Sequence, residues 1–525
     1  MDAATPATQA PDPAILHTES KKTRRLIIAS YWIVILLAIP LWWSTTSIER
    51  QSLPTANVLA QQERELVFPV RVHLDTSRYG GVENTILVQE VQRQLDSNRD
   101  LSEAQEMRVQ ILSEPSNGDT YQVSLSRGAR EPAVQGRQLS LDVQTDDQSS
   151  PTVLAMQLAD TIVTLLAPYT AARGSQTERV VKYAPRYRLA FTLLNEDSAS
   201  GNAALTWDIR ASLSKHIAPL LERLSVLHNF TVESQVQYHA PLAFDPQIVY
   251  SQDRTEYGLT QEDLTVFVNS AEWTLSSSVS NDPVLHFVLF IPSQQHSPLH
   301  ILDERGHSIA STAFVLPQWG GIVILNRPSP IVSRHLAASV LDAAFVTFRY
   351  QLKALLGVPA LPSHVHLADA SFDGAGITDW QLDALLRRRA VENVVGTQET
   401  LQSIVRLVDQ IEGMPVGLDV KSDVLGALNA LEKVYAAASA SSARAAQSAG
   451  AAFSLASRAF FNPGMLALLY FPPEHKYAVY APLFASSAAP LLAAILREVL
   501  AWRRARKARN RGEHQADTTG RQKVE

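Results

Sequence analysis

Two histidines one residue apart, His364 and His366, are the nearest approach to a metal pair in this 525-residue sequence. On an extended strand both rings would share a face, and His286, His296, His300 or His307 would be candidates for a third ligand. Nothing in the spacing demands a metal, and histidines on a polar surface or in hydrogen bonds are the plainer reading. Asp142, Asp146 and Asp147 offer the hard oxygens that calcium takes, but they fall in a polar segment read as a solvated loop. Asp303, Glu304 and Arg305 read as a turn rather than an acid–base pair. Glu474-His475 sits at the edge of an apolar stretch and reads as an interface anchor. The zinc motif H-E-x-x-H, the G-x-S-x-G elbow, the G-x-x-x-x-G-K-[ST] phosphate loop and the G-x-G-x-x-G fingerprint do not occur. There is no cysteine, so the chain itself supplies no thiolate nucleophile, disulfide or cysteine-ligated metal. The missing motifs lower the expectation of an enzyme without excluding a site assembled only in space, and no cofactor or metal is expected.

Composition narrows the class. Apolar residues make up 46% and charged residues 19%, with a formal charge of -6. That balance excludes a disordered tail and a basic nucleic-acid scaffold, so no nucleic-acid partner is expected. The length is enough for three or four domain-sized units at roughly 150 residues each.

The charge is unevenly placed. Residues 1–25 hold four basic and three acidic side chains, and residues 497–525 hold nine basic and four acidic. Each basic segment adjoins a long uncharged stretch. Leu26–Ser47 has 22 residues and would rise about 33 Å as a helix, enough to cross the hydrocarbon core. Trp42 and Trp43 suit its far interface, where an apolar ring keeps its N–H wet. The run is long for a signal peptide, and no A-x-A cleavage pattern follows it. Tyr477–Leu496 is a second span, interrupted by Pro482 and Pro490. Seven basic residues lie between Arg497 and Arg511, a strong stop signal. The small residues Ala485, Ser486, Ser487, Ala488 and Ala489 would let a partner's helix approach closely, and Tyr480 is a further candidate interface residue. The two spans place both termini in the cytoplasm and residues 48–476 on the other side. The sequon Asn229-Phe230-Thr231 agrees with that side being a secretory lumen. The basic tail serves as topology signal and attracts anionic membrane lipid.

Between the spans the pattern is α/β: mixed sheets flanked by helices. Strands are predicted at Leu66–Leu74, Tyr121–Leu125, Arg186–Leu194, Phe230–Tyr238, Leu264–Val268, Leu285–Ile291 and Ile322–Leu325. Phe230, Val232, Ser234, Val236 and Tyr238 would share one strand face. Helices are predicted at Val82–Leu95, Pro151–Leu166, Ile209–Leu227, Ile331–Leu356, Trp380–Arg388 and Leu401–Ile411, with one or two more over Asp419–Phe460. Gly128–Ser150 is predicted as a loop and His296–Ile309 as a polar connection. Met465–Phe471 would lie in the interface plane. No internal repeat of fixed period appears. The expected order is a cytoplasmic segment (1–25), a span (26–47), an α/β lobe (48–180), a second sheet-bearing lobe (181–330), a helical segment (331–476), a span (477–496) and a basic cytoplasmic tail (497–525). Trp207-Asp208 and Glu272-Trp273 are either interface anchors or local packing. Trp319-Gly320-Gly321 reads as a tight turn entering a strand.

These residues carry a likeness. Pro40-Leu41-Trp42-Trp43, Leu193-Leu194-Asn195-Glu196-Asp197, Phe267–Trp273 with Phe290-Ile291-Pro292, Trp319-Gly320-Gly321 with Asn326, and Leu469-Tyr470-Phe471-Pro472 with Glu474-His475-Lys476 occur in order from about residue 20 to 500. In these blocks the chain resembles the PIG-S family, two-span subunits of the glycosylphosphatidylinositol (GPI) transamidase complex. The loop at 128–150, the stretch 436–459 and the tail past 503 carry no signature. The resemblance implies a lumenal, non-catalytic subunit in the endoplasmic reticulum membrane. The implied partners are the other transamidase subunits, including the cysteine-protease-like catalytic one, membrane lipid, and the precursor protein or GPI lipid. The competing readings are a membrane-anchored lumenal enzyme with an unrecognised site, a polysaccharide chain-length regulator, and a soluble scaffold with two buried apolar helices.

Overall fold

A computed structural model of the chain describes residues 20–46, 50–78, 84–99, 101, 107–114, 119–143, 151–170, 180–199, 201–251, 254–275, 280–327, 333–368, 376–411, 414–466 and 473–521. It divides into two compact units. One comprises residues 1–53, 406–421 and 461–525, the other residues 54–405 and 422–460. The chain is mixed α/β with an apolar helix near each terminus, as the sequence predicts.

The described chain opens with α1 (Lys21–Thr46), long and apolar enough over Lys22–Leu41 to cross a membrane. Leu26, Leu37 and Leu41 on it are each about 70% exposed, as lipid-facing residues would be.

The second unit begins with α2 (Thr55–Gln61) and continues through β1 (Phe68–Arg78), α3 (Asn84–Asp96), β2 (Met107–Leu112), β3 (Thr120–Arg127), β4 (Ala133–Gln135), β5 (Gln138–Val143) and α4 (Pro151–Leu166). The strands order as β2-β1-β3-β5-β4. All neighbours are parallel except the β4–β5 hairpin. The loop expected over 128–150 is therefore corrected: it holds that hairpin, and residues 144–150 lie outside the described residues. Gly136, at φ 58°, supplies the left-handed turn that joins its strands.

The next elements repeat this plan. They are β6 (Arg186–Asn195), β7 (Thr206–Trp207), α5 (Ile209–Ser212) and α6 (Ala218–Leu224) with a π-helical turn between them, β8 (Asn229–Gln237), β9 (Gln247–Ser251), β10 (Arg254–Leu259), α7 (Gln261–Thr265), β11 (Val284–Ile291), β12 (Leu299–Ile301), β13 (Ala313–Leu316), β14 (Gly320–Ile324), β15 (His335–Leu336) and α8 (Ala338–Leu356). The large sheet orders as β8-β6-β11-β14-β13, parallel except for the β13–β14 hairpin. Apart from a short sixth strand of the first sheet, His366–Leu367, which pairs with β4, this is the first sheet again. In each half a helix joins the first two strands, a third strand pairs on the other side of the first, and a hairpin and a helix follow. The repeat has no sequence period because β9, β10, α7 and β12 are inserted in the second half only.

The insertion changes how the second sheet is buried. β9, β10 and β12 form a small sheet of their own. Leu259, Phe267, Trp273, Leu299 and Ile301 from the inserted region form one core with Leu194, Val288, Phe290, Ile322 and Ile324 of the large sheet. With helices on the opposite face, β6 is buried at every residue after Arg186. This matches its apolar run, Leu189 to Leu194, interrupted only by Thr192. In the first sheet, Tyr121, Val123 and Leu125 are buried against α3 and α4, with Trp380 in the same core. The alternate residues Gln122, Ser124 and Ser126 remain half-exposed, so that parallel sheet keeps a polar, uncovered face.

Three further expectations are corrected. The strand predicted over Leu264–Val268 is absent. Thr260 and Asp263 form a reciprocal capping box that starts α7 instead. The polar connection His296–Ile309 contains β12. The helix predicted over Ile331–Leu356 starts only at Ala338, because His335 and Leu336 pair with β7 as β15.

After β16 (His366–Leu367) come α9 (Asp379–Gln410), α10 (Leu418–Ala437), α11 (Ser442–Phe460), α12 (Pro463–Leu466) and α13 (Pro473–Arg521). The two helices expected over 380–388 and 401–411 are one helix of 32 residues. Its polar middle is buried rather than broken. Arg387 donates to the Leu166 carbonyl at 3.3 Å, and Arg389 donates to those of Val181 and Leu356, both at 3.1 Å. Leu166 and Leu356 are the last residues of α4 and α8, where helix carbonyls lack partners and the helix dipole favours a cation. Of the segment expected in the interface plane, Met465 is buried, and residues 467–471 lie outside the described residues.

Replacing Arg389 by Met should strand two carbonyls in the core and lower stability by about 2–4 kcal/mol, read as a lower urea midpoint. Arg388→Gln, at a partly exposed site that stacks over Tyr169 and pairs with Glu392, should cost about 1 kcal/mol.

Two core histidines add a pH dependence. His228 donates Nδ1–H to the Ala184 carbonyl at 2.7 Å, and burial lowers its pKa to about 4. His286 stacks on Trp319 at 4.7 Å, and burial, then the nearby charge of Arg188, lowers it to about 4. Both ionise more readily in the unfolded chain, where the ordinary value is near 6.5. Stability should be level above pH 6.5 and fall as pH drops from 6.5 towards 4. Melting temperature against pH checks this, and His228→Phe should flatten part of the slope.

Candidate functional site

In open α/β sheets, ligands bind at the carboxyl ends of strands where the strand order reverses. In the second sheet that place lies between β6 and β11. Asn195 ends β6. Its Nδ2 donates to the Ala204 carbonyl at 2.8 Å and the Gln237 carbonyl at 3.2 Å, and its Oδ1 accepts the Ala204 amide at 2.8 Å. Glu196, buried, accepts the Ser293 amide at 2.7 Å and pairs with His296 Nδ1 at 2.5 Å. Beyond β14, Asn326 exchanges two hydrogen bonds with the Leu299 backbone. A carboxylate orienting a histidine is half of a general-base arrangement. Among the described residues, however, no serine or threonine hydroxyl bonds the His296 ring. These side chains instead hold the connecting loops together.

Trp319-Gly320-Gly321 belongs to the same architecture. A Cβ on Gly320 would lie 2.0 Å from the His286 carbonyl oxygen, and one on Gly321 would lie 2.1 Å from Gln351 Oε1. Only glycine lets β14 pair this closely with β11 and α8.

A polar cavity of about 300 Å³ opens at the amino end of the first sheet. Asp383 of α9 is buried beside it. It accepts the Tyr121 hydroxyl at 2.9 Å, the Ser442 hydroxyl at 3.2 Å, and Arg137 through Nε at 3.0 Å and Nη2 at 3.3 Å. Arg137 also donates to Asp119 at 2.6 Å. Arg387 donates to the Tyr121 hydroxyl at 3.0 Å. Burial holds the Tyr121 phenol well above its ordinary pKa, so it remains a neutral donor. No sequence motif marks this cluster. Its members come from positions 119–137, 383–387 and 442, and only folding brings them together.

In the terminal unit, Arg24 Nη2 and Arg25 Nε meet the Glu498 carboxylate at 3.3 and 3.1 Å. The basic start of α1 therefore adjoins α13 just past the apolar run that ends at Leu496. α13 has its own span-length apolar stretch, Phe484–Arg509.

The residues singled out from sequence are placed as follows. Trp207 and Trp273 are buried and are not exposed interface anchors. Trp207 packs on Phe345, and Trp273 packs on Phe267 and donates to the Pro241 carbonyl at 3.1 Å. Their bulk and apolar neighbours draw them into the core. Glu272 beside Trp273 is exposed, and Asn229 is exposed at the first position of β8. Trp42 and Trp43 lie in α1, and Tyr480, Ser486 and Ser487 in α13. Ser486 is exposed, while the side chains of the other four lie outside the described residues. His366 pairs with Glu131, and His364 is exposed. No group of three metal-ligating side chains occurs among the described residues. Asp142 accepts the Ser126 hydroxyl, and Asp146 and Asp147 lie outside the described residues. Asp303 accepts the amides of Arg305 and His307, as a turn residue does. The side chains of Glu474 and His475 lie outside the described residues.

Comparison with known proteins bears on all these features together. The family model described as phosphatidylinositol-glycan biosynthesis class S protein, PIG-S, matches residues 29–505. A mouse protein named GPI-anchor transamidase component PIGS is 36% identical over 335 residues, 62% of this chain and 59% of its own length. The aligned segment thus spans about three fifths of that relative. The human protein of the same name is 29% identical over 94% of this chain and 99% of its own length. The fission yeast protein named GPI transamidase component PIG-S homolog is 28% identical over 94% of this chain and 87% of its own. The match takes in both apolar helices and both repeated sheets, and on that extent this chain belongs to the PIG-S family.

Proposed function

We propose that this chain is a non-catalytic subunit of a GPI transamidase complex, supporting the attachment of GPI anchors to precursor protein C-termini. The observation that carries the reading is family membership over residues 29–505, with relatives named as transamidase components. The sequence supports the non-catalytic part, because a chain without cysteine has no thiol to form a thioester. The nucleophile then belongs to a separate cysteine-protease-like subunit, and this chain contributes by assembly and placement of the reacting groups.

In this reading α1 and α13 anchor the chain in the endoplasmic reticulum membrane. The region between them is lumenal and both termini are cytoplasmic. The pairing of Arg24 and Arg25 with Glu498 supports a common side for the two basic ends. The exposed Asn229 supports a glycan reaching the lumenal surface. The α13 stretch around Tyr480, Ser486 and Ser487 is the proposed packing face for a partner's helix, and Trp42 and Trp43 sit at the lumenal interface of α1. Precursor protein and GPI lipid are further candidate partners.

A mild-detergent pull-down of the tagged chain should recover the other transamidase subunits. Exchanging residues 477–496 for an unrelated apolar span should lower that recovery at least about tenfold, while unchanged recovery removes the packing role. Endoglycosidase treatment should shift the chain by one glycan, and Asn229→Gln should abolish the shift. If the shift is absent, or externally added protease cleaves the middle of the chain in sealed vesicles, the lumenal placement fails.

A further inference from the structure

The cavity at the amino end of the first sheet has more positive charge than its own carboxylates absorb. Arg71, Arg137 and Arg387 line it, against Asp119 and Asp383. Arg137 takes up both carboxylates. Arg387 spends its bonds on the neutral Tyr121 hydroxyl and the Leu166 carbonyl. Arg71 is exposed on β1 and has no ion-pair partner among the described residues. The wall therefore carries three guanidinium groups against two carboxylates, and among the described residues two of the three make no ion pair.

The far wall adds positive potential. Residues 438–442 close the cavity, and they form the turn from α10 into α11. Ser441 caps a 19-residue helix that starts at Ser442, its Oγ accepting the Arg444 amide at 3.4 Å; the first-turn amides left over and the helix dipole favour an anion. The Asp383 oxygens that would oppose an anion are already bonded to Tyr121, Arg137 and Ser442. At about 300 Å³ the space sits at the small end of ligand pockets. It suits a head group rather than a drug-sized molecule.

We propose that this cavity binds a phosphate-bearing ligand, with Arg71 at the mouth and the amino end of α11 behind it. Arginine matches phosphate geometry through paired N–H donors, and Arg71 is a lining arginine with no ion-pair partner among the described residues. The polar, uncovered face of the first sheet keeps the approach open, whereas the inserted β9–β12 region covers a face of the second sheet. The phosphate is either a free ion or part of a lipid head group. The inference concerns this chain alone and stands apart from its place in a larger complex.

The full-length chain in neutral detergent provides the test. Inorganic phosphate should raise its melting temperature along a saturating curve, while chloride at equal ionic strength should not. Short-chain phosphatidic acid below its micelle concentration should act at lower concentration than inorganic phosphate if the source is lipid, and at equal or higher concentration if it is the free ion. Arg71→Ala should weaken binding by about tenfold or more, with Arg71→Lys between the two. Because Arg71 is exposed, neither variant should change the melting temperature without phosphate. Equal shifts with phosphate and chloride, or unaltered phosphate binding by Arg71→Ala, would overturn the proposal.

Discussion

The fold of the second unit depends on guanidinium groups buried in α9. Arg387 and Arg389 stand two residues apart, so on a helix they point to nearly opposite sides. One reaches the end of α4 and the other the end of α8. These are the equivalent closing helices of the two repeated sheets. Each ends in carbonyls that the helix cannot bond itself and that burial hides from water. A single helix satisfies both ends, and this ties the halves together through polar contacts where shape complementarity alone would leave carbonyls stranded. Arg388, between them, covers Tyr169 at 4.3 Å, while Tyr169 donates to the Gly357 carbonyl just past α8 at 2.9 Å.

That arrangement explains which parts of the fold were legible in the sequence. α4 was visible to the residue, because Pro151 opens an apolar helical pattern and Leu166 closes it. β6 is visible because five of the six residues from Leu189 to Leu194 are apolar. α9 was read as two helices because Arg387, Arg388, Arg389, Glu392 and Asn393 look like a solvated break. Nothing local says that carbonyls distant in sequence will bury Arg387 and Arg389. The β4–β5 hairpin is hidden for a related reason: its strands are only three and six residues long, and the alternation of Leu139, Leu141 and Val143 sits inside a polar, turn-rich segment. The polar cavity was not legible either, since its charges lie as far apart as Asp119 and Ser442. The family blocks include Asn195, Glu196 and Asn326 but give no sign that their hydrogen bonds bind loops.

The two sheets show how one topology yields two surfaces. The second sheet is a three-layer structure in which the inserted region supplies Phe267 and Trp273 as a lid of aromatic rings over Phe290. Such a lid fixes the carboxyl edge, and Glu196 then holds the Ser293 loop in a dry setting where its hydrogen bonds are strong. The first sheet lacks the insertion, so polar residues occupy its outer face. A mostly parallel sheet with one open face is unusual. The difference assigns rigidity to the second half and accessible polar surface to the first.

The terminal unit applies the same economy to charge. Glu498 is an acid in the most basic part of the chain, where the arginines of α1 pair with it. Its side chain is 22% exposed, whereas those of Arg24 and Arg25 are 51% and 61% exposed. The acid is thus the enclosed partner, held between two arginines of α1. Exposed pairs of this kind contribute about 1 kcal/mol or less in water, too little to hold two long helices together. Their effect is on register. Only with the basic start of α1 beside residue 498 do both arginines reach the same carboxylate, so the pair selects one alignment of the apolar helices from the many that their greasy surfaces would permit.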